Sequence, residues 1–196
     1  MNSLRKVALI TGAGRNTGRG IALRLAKEGA NIVLVDKDAA QLNETADQIT
    51  ATGRRVSVYL TDITGREQLR DAVDHAEKTF GTLDIMVNNP CFERKDADAA
   101  IGYEEVEQLI NHSIHSTCWG IQVAADTFRQ RRRKGTIVNV WSSAGHESAS
   151  WVDIHTASKM ALRALTQAAS RELAPDGIMV TLQCFGTIIP AARYVS

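Results

Sequence analysis

The feature that most constrains the fold is a glycine-rich turn near the start of the chain. It follows Val7–Thr11, an apolar run with the composition of a buried strand, and a helical pattern of apolar residues begins at Ile21. This order of strand, turn and helix is typical of a dinucleotide-binding unit, in which backbone N–H groups at a helix N-terminus hold phosphate. We expect Gly12 to form the tight turn and Gly18 to let the helix pack against its strand.

The rest of the chain supplies the context that a glycine cluster needs. Strand-like and helix-like segments alternate throughout, which predicts a parallel sheet covered by helices on both faces. Strands are expected at 7–11, 31–35, 56–60, 83–87, 136–140 and 178–182. Helices are expected from the glycine turn to about 28–29, from a capping box at Thr64 to residue 80, and over 39–50, 103–133 and 152–173. We therefore predict one doubly wound α/β domain (Rossmann fold) over residues 1–196, with strand order 3-2-1-4-5-6.

Composition and charge narrow the choice of partner. The chain has 196 residues, 44% of them hydrophobic, and a net charge of +1. The balanced charge argues against nucleic acid or a membrane surface as the main partner. The basic run at 129–134 is better explained as solvated cations at a helix C-terminus.

Cysteine usage and histidine spacing suggest neither disulfides nor a metal site. Cys91, Cys118 and Cys184 are odd in number and far apart, as expected of reduced thiols in a cytoplasmic protein. The sequence shows no apolar segment long enough for a signal peptide or membrane span. His112 and His115 lack an evident third ligand, so we expect no metal.

An acidic residue at the tip of the second strand bears on the choice of cofactor. Asp36 lies 18 residues after Gly18, where a carboxylate can accept hydrogen bonds from an adenosine ribose. This favours NAD, because the negative charge repels a 2′-phosphate. The alternative is a turn or N-cap aspartate before the next helix. NADP stays possible, since Arg15 or Lys37 could pair with a 2′-phosphate.

The order of motifs along the whole chain resembles the short-chain dehydrogenase/reductase family. The motifs are Thr11-Gly12 with Gly18, Asp62 after strand three, Asn88-Asn89 after strand four, and Ser142 with Lys159. Residues 7–36 look most like the acetoin/diol-type and sugar-type members. The resemblance implies an NAD(P)(H)-dependent oxidoreductase that interconverts a carbonyl compound and a secondary alcohol. It also implies that Asp62 and Ile63 lie against the adenine, that Asn89 lies near the adenosine ribose, and that Arg15, Asn16 and Thr17 belong to the cofactor turn.

The resemblance further implies four catalytic roles, two of them filled by unusual residues. Ser142 would hydrogen-bond the substrate oxygen, and Lys159 would bind the nicotinamide ribose and lower the pKa of the proton donor. Where the family has the donor tyrosine, this chain has His155. Ser113 stands where the family has an asparagine that holds a relay water.

His155 leaves two hypotheses open. Imidazole titrates near neutrality, and a neighbouring Lys159 cation would favour its neutral form, which still donates one N–H. Imidazole is shorter than phenol, however, and proton transfer needs about 2.6–3.2 Å between heavy atoms or one bridging water. The chain is therefore either a carbonyl/alcohol oxidoreductase, with slow turnover one outcome, or a non-catalytic NAD(P)-binding or partner-binding protein.

Other departures from the family pattern affect the turn, the pocket and the C-terminus. Asn16 occupies the middle glycine position, and asparagine tolerates left-handed backbone. Pro90 follows Asn89 and removes a backbone donor, and Phe185 replaces a proline. Family members continue further, so we expect the seventh strand to be missing. The resemblance also implies a homodimer or homotetramer, with the helices at 103–133 and 152–173 forming one of its interfaces.

Overall fold

The computed structural model describes residues 6–90, 102–142 and 154–185, with Ser142 and His155 described by their backbone alone. These residues contain one six-stranded sheet of order β3-β2-β1-β4-β5-β6, and every pairing is parallel. The strands are β1 Val7–Thr11, β2 Asn31–Asp36, β3 Val56–Leu60, β4 Ile85–Asn88, β5 Thr136–Ser142 and β6 Met179–Phe185. The predicted Rossmann strand order is confirmed. The expectation of a missing seventh strand concerns residues after Phe185, outside the described part of the chain.

Six α-helices connect the described strands and cover both faces of the sheet. They are α1 Asn16–Lys27, α2 Ala39–Thr50, α3 Arg66–Phe80, α4 Tyr103–Ile110, α5 Ser116–Gln130 and α6 Ile154–Leu173. A π-helical turn, Asn111–His115, joins α4 to α5, and a short 3₁₀ turn, Ala174–Asp176, follows α6.

The core lies in two layers because side chains of a strand alternate between the faces of the sheet. In β1, Val7 and Leu9 pack with buried residues of α3, α5 and α6. Ala8 and Ile10 pack with buried residues of α1 and α2 on the opposite face. All four side chains are buried, as expected for the central strand of a doubly wound sheet.

The prediction of one helix over 103–133 is wrong in two respects. The π-turn interrupts it at 111–115, and α5 ends at Gln130. The helix ends because Arg132 adopts a left-handed φ of 50°, and the N–H of Arg133 turns back to the carbonyl of Phe128. The basic side chains at this end are exposed, and Arg129 and Arg131 pair with Asp176 and Glu77. These pairs support the interpretation as a solvated helix end.

The predicted capping box at Thr64 is also wrong. Helix α3 begins at Arg66 with Gly65 as its N-cap, and no described side chain caps it. The N–H of Thr64 instead donates to Asp62 Oδ1 at 2.8 Å, within a turn that precedes the helix. Strand bounds differ less: β4 begins at Ile85 rather than 83, while β5 and β6 continue to 142 and 185.

Candidate functional site

The turn between β1 and α1 requires glycine at two positions for lack of space. Gly12 has a φ of 60°, and a Cβ there would lie 2.6 Å from the carbonyl oxygen of Asn89. A Cβ on Gly18 would collide with the carbonyl oxygen of Gly12. Both glycines are therefore required by close packing within the protein, of the turn on Asn89 and of α1 on the turn, as the glycines of a dinucleotide-binding turn are.

Asn16 takes the left-handed conformation that glycine would otherwise supply. Its φ is 47°, a value that asparagine tolerates better than most residues. The expectation that Asn16 keeps the turn is therefore met by the backbone geometry.

The N-terminus of α1 offers N–H groups to an anion. No described side chain caps this end, and its first turn contains no acidic residue. The first N–H groups of a helix have no partner within the helix and carry the positive end of its dipole. Asn16, Thr17 and Gly18 thus present donors where the sequence predicts a pyrophosphate, and these residues fit a dinucleotide.

Asp36 lies against this turn at the end of β2. Its Oδ2 accepts a hydrogen bond from the N–H of Gly14 at 3.1 Å. Its Oδ1 accepts from the N–H groups of Lys37 and Asp38 at 2.7 and 3.3 Å. The N-cap of α2 is Asp38, so the N-cap alternative for Asp36 is wrong. Asp36 is a turn aspartate in this structure, and a carboxylate with about four lone-pair sites can still accept from a ribose.

Asn89 joins the ends of β1 and β4, where the sheet changes its direction of winding. Its N–H donates to Thr11 Oγ1 at 3.0 Å, and its Nδ2 donates to the Gly12 carbonyl at 3.2 Å. Asn89 and Pro90 are both buried. Ligands of open α/β sheets bind at this switch point, so Asn89 lies where we expect a cofactor cleft.

Asp62 and Ile63 follow β3 and lie near the π-turn. Partial burial raises the pKa of the Asp62 carboxyl, but the hydrogen bonds from Thr64 and the charges of His112 and Lys37 outweigh it. The pKa therefore lies below its usual value, and the group is ionised at neutral pH. Ile63 is half-buried and packs on the core layer of α3 and α5. These two residues flank the same end of the sheet as Asp36.

The predicted catalytic residues lie at the end of β5 and the start of α6. Ser142 is the last residue of β5, and His155 and Lys159 are one helical turn apart in α6. Lys159 is only 7% exposed. The indole Nε1 of buried Trp141 donates to the carbonyl of Lys159 at 2.6 Å, which joins the two elements beside the predicted site. The side chains of Ser142 and His155 lie outside the description, so their roles stay predictions.

Ser113 lies in the middle of the π-turn. Its side chain is 1% exposed, and its Oγ has no hydrogen-bond partner among the described residues. Single π-turns inside helices occur frequently at functional sites. The sequence offers one signal for the turn: the hydroxyls of Ser116 and Thr117 bond back to the carbonyls of His112 and Ser113, which disturbs regular helix.

Comparison with known proteins decides the family. The model of the family described as short chain dehydrogenase matches residues 6–193. The chain belongs to the short-chain dehydrogenase family. A diacetyl reductase [(S)-acetoin forming] of Staphylococcus epidermidis is 40% identical over 183 residues, which are 93% of this chain and 71% of that protein. An L-2,3-butanediol dehydrogenase of Corynebacterium glutamicum is 31% identical over 187 residues, 94% of this chain and 72% of that protein.

A solved structure gives the same result. A short chain dehydrogenase/reductase from Burkholderia phymatum, in complex with NAD, superposes with a TM-score of 0.89 at 28% identity. The match covers 96% of this chain and 68% of that one. This short-chain dehydrogenase is therefore an oxidoreductase with the fold of a nicotinamide-cofactor enzyme.

The short-chain dehydrogenase also contains a buried polar chain that sequence reasoning missed. Asn88 Nδ2 donates to Asn139 Oδ1, and Asn139 Nδ2 donates to Thr166 Oγ1, each at 2.9 Å. Thr166 in turn donates to the carbonyl of Leu162 at 2.7 Å. The chain fixes α6 against β4 and β5, and thereby fixes the helix that carries Lys159. Its only sequence signal is a polar residue at the end of one apolar strand, Asn88, and a polar residue inside another, Asn139.

Neither a metal site nor a membrane span appears in the described ranges. No group of three His, Cys, Asp or Glu side chains there could hold a metal ion. The Nδ1 of His112 lies 2.9 Å from the carbonyl of Gln108. Over those same ranges, every helix is too short or too polar to cross a bilayer. Cys118 and Cys184 are free thiols, and Cys91 lies outside the described residues.

Proposed function

We propose that this short-chain dehydrogenase uses NAD(H) to interconvert a small ketone and its secondary alcohol. The observation that carries the cofactor choice is the position of Asp36, whose carboxylate lies 3.1 Å from the N–H of Gly14 in the phosphate turn. A fixed negative charge there accepts ribose hydroxyls and repels a 2′-phosphate. Arg15 and Lys37 are exposed near the same turn, so NADPH is the comparison that tests the choice.

The relatives support a compact substrate. They are named as a diacetyl reductase and a butanediol dehydrogenase, both of which act on four-carbon compounds with neighbouring oxygens. We infer that this chain takes a vicinal diketone or hydroxyketone of similar size.

The residues around the glycine turn would bind the cofactor. Gly12, Arg15, Asn16, Thr17 and Gly18 would hold the pyrophosphate through the turn and the N-terminus of α1. Asp36 and Asn89 would contact the adenosine ribose, and Asp62 and Ile63 would flank the adenine. When bound, the nicotinamide ring supplies or accepts the hydride.

The other half of the site would orient the carbonyl and deliver the proton. Ser142 would donate a hydrogen bond to the substrate oxygen, and Lys159 would bind the nicotinamide ribose. As the imidazolium, His155 would give a proton to the oxygen in the reducing direction, and as the neutral imidazole it would take that proton back in oxidation. The neighbouring Lys159 cation would favour the neutral imidazole, which is the form that accepts the proton in oxidation. Ser113 would hold the water that returns the proton to solvent.

The residues at two catalytic positions favour a second candidate function, which is binding of the dinucleotide without catalysis. His155 and Ser113 stand where the family has tyrosine and asparagine. Loss of a positioned acid or base costs about 10²–10⁴-fold in rate, enough to leave a protein that binds the dinucleotide without turning it over.

Turnover of diacetyl and acetoin with NADH separates the two functions. We expect NADH oxidation that falls at least about tenfold in His155→Ala, because the proton donor is lost. His155→Tyr should raise the rate, because phenol reaches further. The matched control is His75→Gln, since His75 lies on α3 beside Ser57 of β3.

Two outcomes would contradict the proposal, and a third would contradict only the effect expected of the tyrosine variant. NADH binding without turnover in the wild type and in His155→Tyr would favour the non-catalytic candidate. A rate in His155→Ala equal to that of the wild type would remove His155 from the mechanism. An unchanged or lower rate in His155→Tyr would mean that the site has adapted to the imidazole.

We also infer a homodimer or homotetramer assembled through α5 and α6. The two helices form a shallow groove on the surface, lined by Ile121, Ala125, Leu165 and Ala169 among others. A second copy of the same helix pair would cover these apolar side chains. Sedimentation velocity should give a mass of two or four chains, and a monomer at micromolar concentration would contradict the inference.

A further inference from the structure

Arg19, in the second turn of α1, points its guanidinium at the glycine turn. Its Nε and Nη2 lie 3.0 and 2.6 Å from the carbonyl oxygen of Gly14, and both donate to it. The side chain is only 21% exposed. Two N–H groups of one guanidinium that donate to the same backbone carbonyl fix both the position and the direction of that carbonyl.

The same guanidinium binds α2. Nη1 and Nη2 donate to Glu44 Oε1 and Oε2 at 2.7 and 2.8 Å, which is a bidentate ion pair. Nε also donates to Thr45 Oγ1 at 3.0 Å. The Thr45 side chain is buried, and its hydroxyl lies 3.2 and 3.3 Å from the carbonyls of Gly14 and Ala13. One side chain therefore fastens the glycine turn to α2.

Gly14 is held from its other side by Asp36, the residue whose carboxylate favours NAD. Its N–H donates to Asp36 Oδ2 at 3.1 Å, and the N–H of Ala13 donates to the Val35 carbonyl at 3.2 Å. A Cβ on Gly14 would lie 2.9 Å from the Cβ of Gln41, so α2 packs directly on the turn. Release of the Gly14 carbonyl would therefore disturb the Asp36 carboxylate as well as the turn.

We propose that Arg19 is a positioning residue for the adenosine end of the cofactor. It fixes Gly14 between α2 and Asp36, and so sets the phosphate turn and the ribose carboxylate in one arrangement. It also offsets the partial negative charge of a carbonyl beside a site for pyrophosphate. This inference rests on the dinucleotide binding proposed above and assigns Arg19 no contact with the cofactor.

A second arginine on α1 provides a matched control. Arg24 pairs with Glu28 at 2.9 Å within the helix, and the two side chains are 74% and 48% exposed. Both Arg19→Ala and Arg24→Ala remove one cation and one ion pair from the same helix. Only the first releases the glycine turn.

The test measures Kd for NADH, ADP-ribose and nicotinamide mononucleotide by calorimetry. We expect Arg19→Ala to weaken the binding of NADH and of ADP-ribose by about tenfold and to leave the binding of nicotinamide mononucleotide unchanged. The KM for NADH should rise in parallel, with kcat at saturating NADH unchanged. Arg24→Ala should match the wild type for all three ligands. A merely structural role would lower stability without separating ADP-ribose from nicotinamide mononucleotide.

Two conservative variants keep the test decisive if Arg19→Ala does not fold. Arg19→Lys keeps the charge opposite Glu44 but cannot fork onto the Gly14 carbonyl, and Glu44→Gln keeps the shape but not the charge. Each variant should weaken the binding of ADP-ribose by roughly threefold.

The failures of this inference and of the proposed function have different signatures. Wild-type binding of NADH with equally tight binding by the Arg19 variants would overturn the role of Arg19 and leave the cofactor proposal standing. No wild-type binding of NADH or NADPH would overturn both.

Discussion

Two glycines in the first turns of α1 show how differently the same residue can be used. The Cβ that alanine would place at position 18 collides with the Gly12 carbonyl and lies 2.8 Å from Asn89 Nδ2. The Cβ at position 20 meets no atom of the described residues within 4 Å. The first glycine is required by the close packing of α1 against the end of β1, while the second faces open space.

Gly18→Ala and Gly20→Ala should therefore have opposite effects. We expect Gly18→Ala to lower the free energy of unfolding by about 1–3 kcal/mol through overpacking. It should also weaken the binding of NADH at least about tenfold, because the phosphate turn must move. Gly20→Ala should leave NADH affinity unchanged and raise stability by roughly 0.5–1 kcal/mol through backbone entropy. Urea denaturation and fluorescence titration measure both quantities, and equal effects of the two substitutions would contradict the packing described.

Among single residues, the sequence predicts well a role that follows from the residue's own backbone conformation. It predicts less well a role that depends on contacts with residues far away in the chain. The positive φ of Gly12 and the left-handed φ of Asn16 follow from intrinsic backbone preferences. The bonds of Asp36 to Gly14 and of Arg19 to Glu44 join residues more than twenty positions apart, and no local pattern specifies them. The buried Oγ of Ser113, which has no hydrogen-bond partner in the described part of the chain, likewise depends on a helix register that is set by packing.

Among the elements, β5 and α6 bear most directly on chemistry. Trp141 precedes Ser142 at the end of β5, and its buried indole donates to the carbonyl of Lys159 on α6. The chain of hydrogen bonds from Asn88 through Asn139 to Thr166 fixes the same helix two turns further on. The helix that carries Lys159 is thus held against the sheet at both points.

Trp141→Phe should loosen this junction while keeping an aromatic ring in the core. We expect the free energy of unfolding to fall by about 1 kcal/mol, since one buried hydrogen bond is lost and a carbonyl loses a donor. The value of kcat should fall several-fold, because Ser142 and Lys159 would no longer be fixed relative to each other. The control is Trp119→Phe on α5, whose ring is half-buried. Steady-state kinetics decides: an unchanged kcat in Trp141→Phe would mean that the bond only supports the fold.

Element types were predictable because apolar periodicity differs between strand and helix. The π-turn was not, because the hydrogen bonds of Ser116 and Thr117 back to the helix are set by their side-chain rotamers and leave no mark in the apolar pattern. The prediction of a capping box at Thr64 was wrong because of a local hydrogen bond. Asp62, two residues upstream, takes the N–H of Thr64 and forms a turn of its own before α3 begins.

For the whole molecule, the strand order places the candidate residues for the adenosine half of the cofactor at the carboxyl-terminal edge of the sheet. Gly12, Asp36 and Asn89 end three neighbouring strands or follow them directly, and hydrogen bonds through Gly14 and Gly12 join them. This convergence was predictable, since the carboxyl ends of parallel strands meet at one edge. The catalytic half was less so, because the roles proposed for it rest on a histidine and a serine at positions where the resemblance implies tyrosine and asparagine.

We propose that this edge of the sheet binds NAD(H), with Asp36 selecting against the 2′-phosphate of NADP(H). Isothermal titration of the wild-type chain with NADH and with NADPH is the direct test. We expect one NADH per chain, bound at least about tenfold more tightly than NADPH. Tighter binding of NADPH, or no binding of either nucleotide, would contradict it.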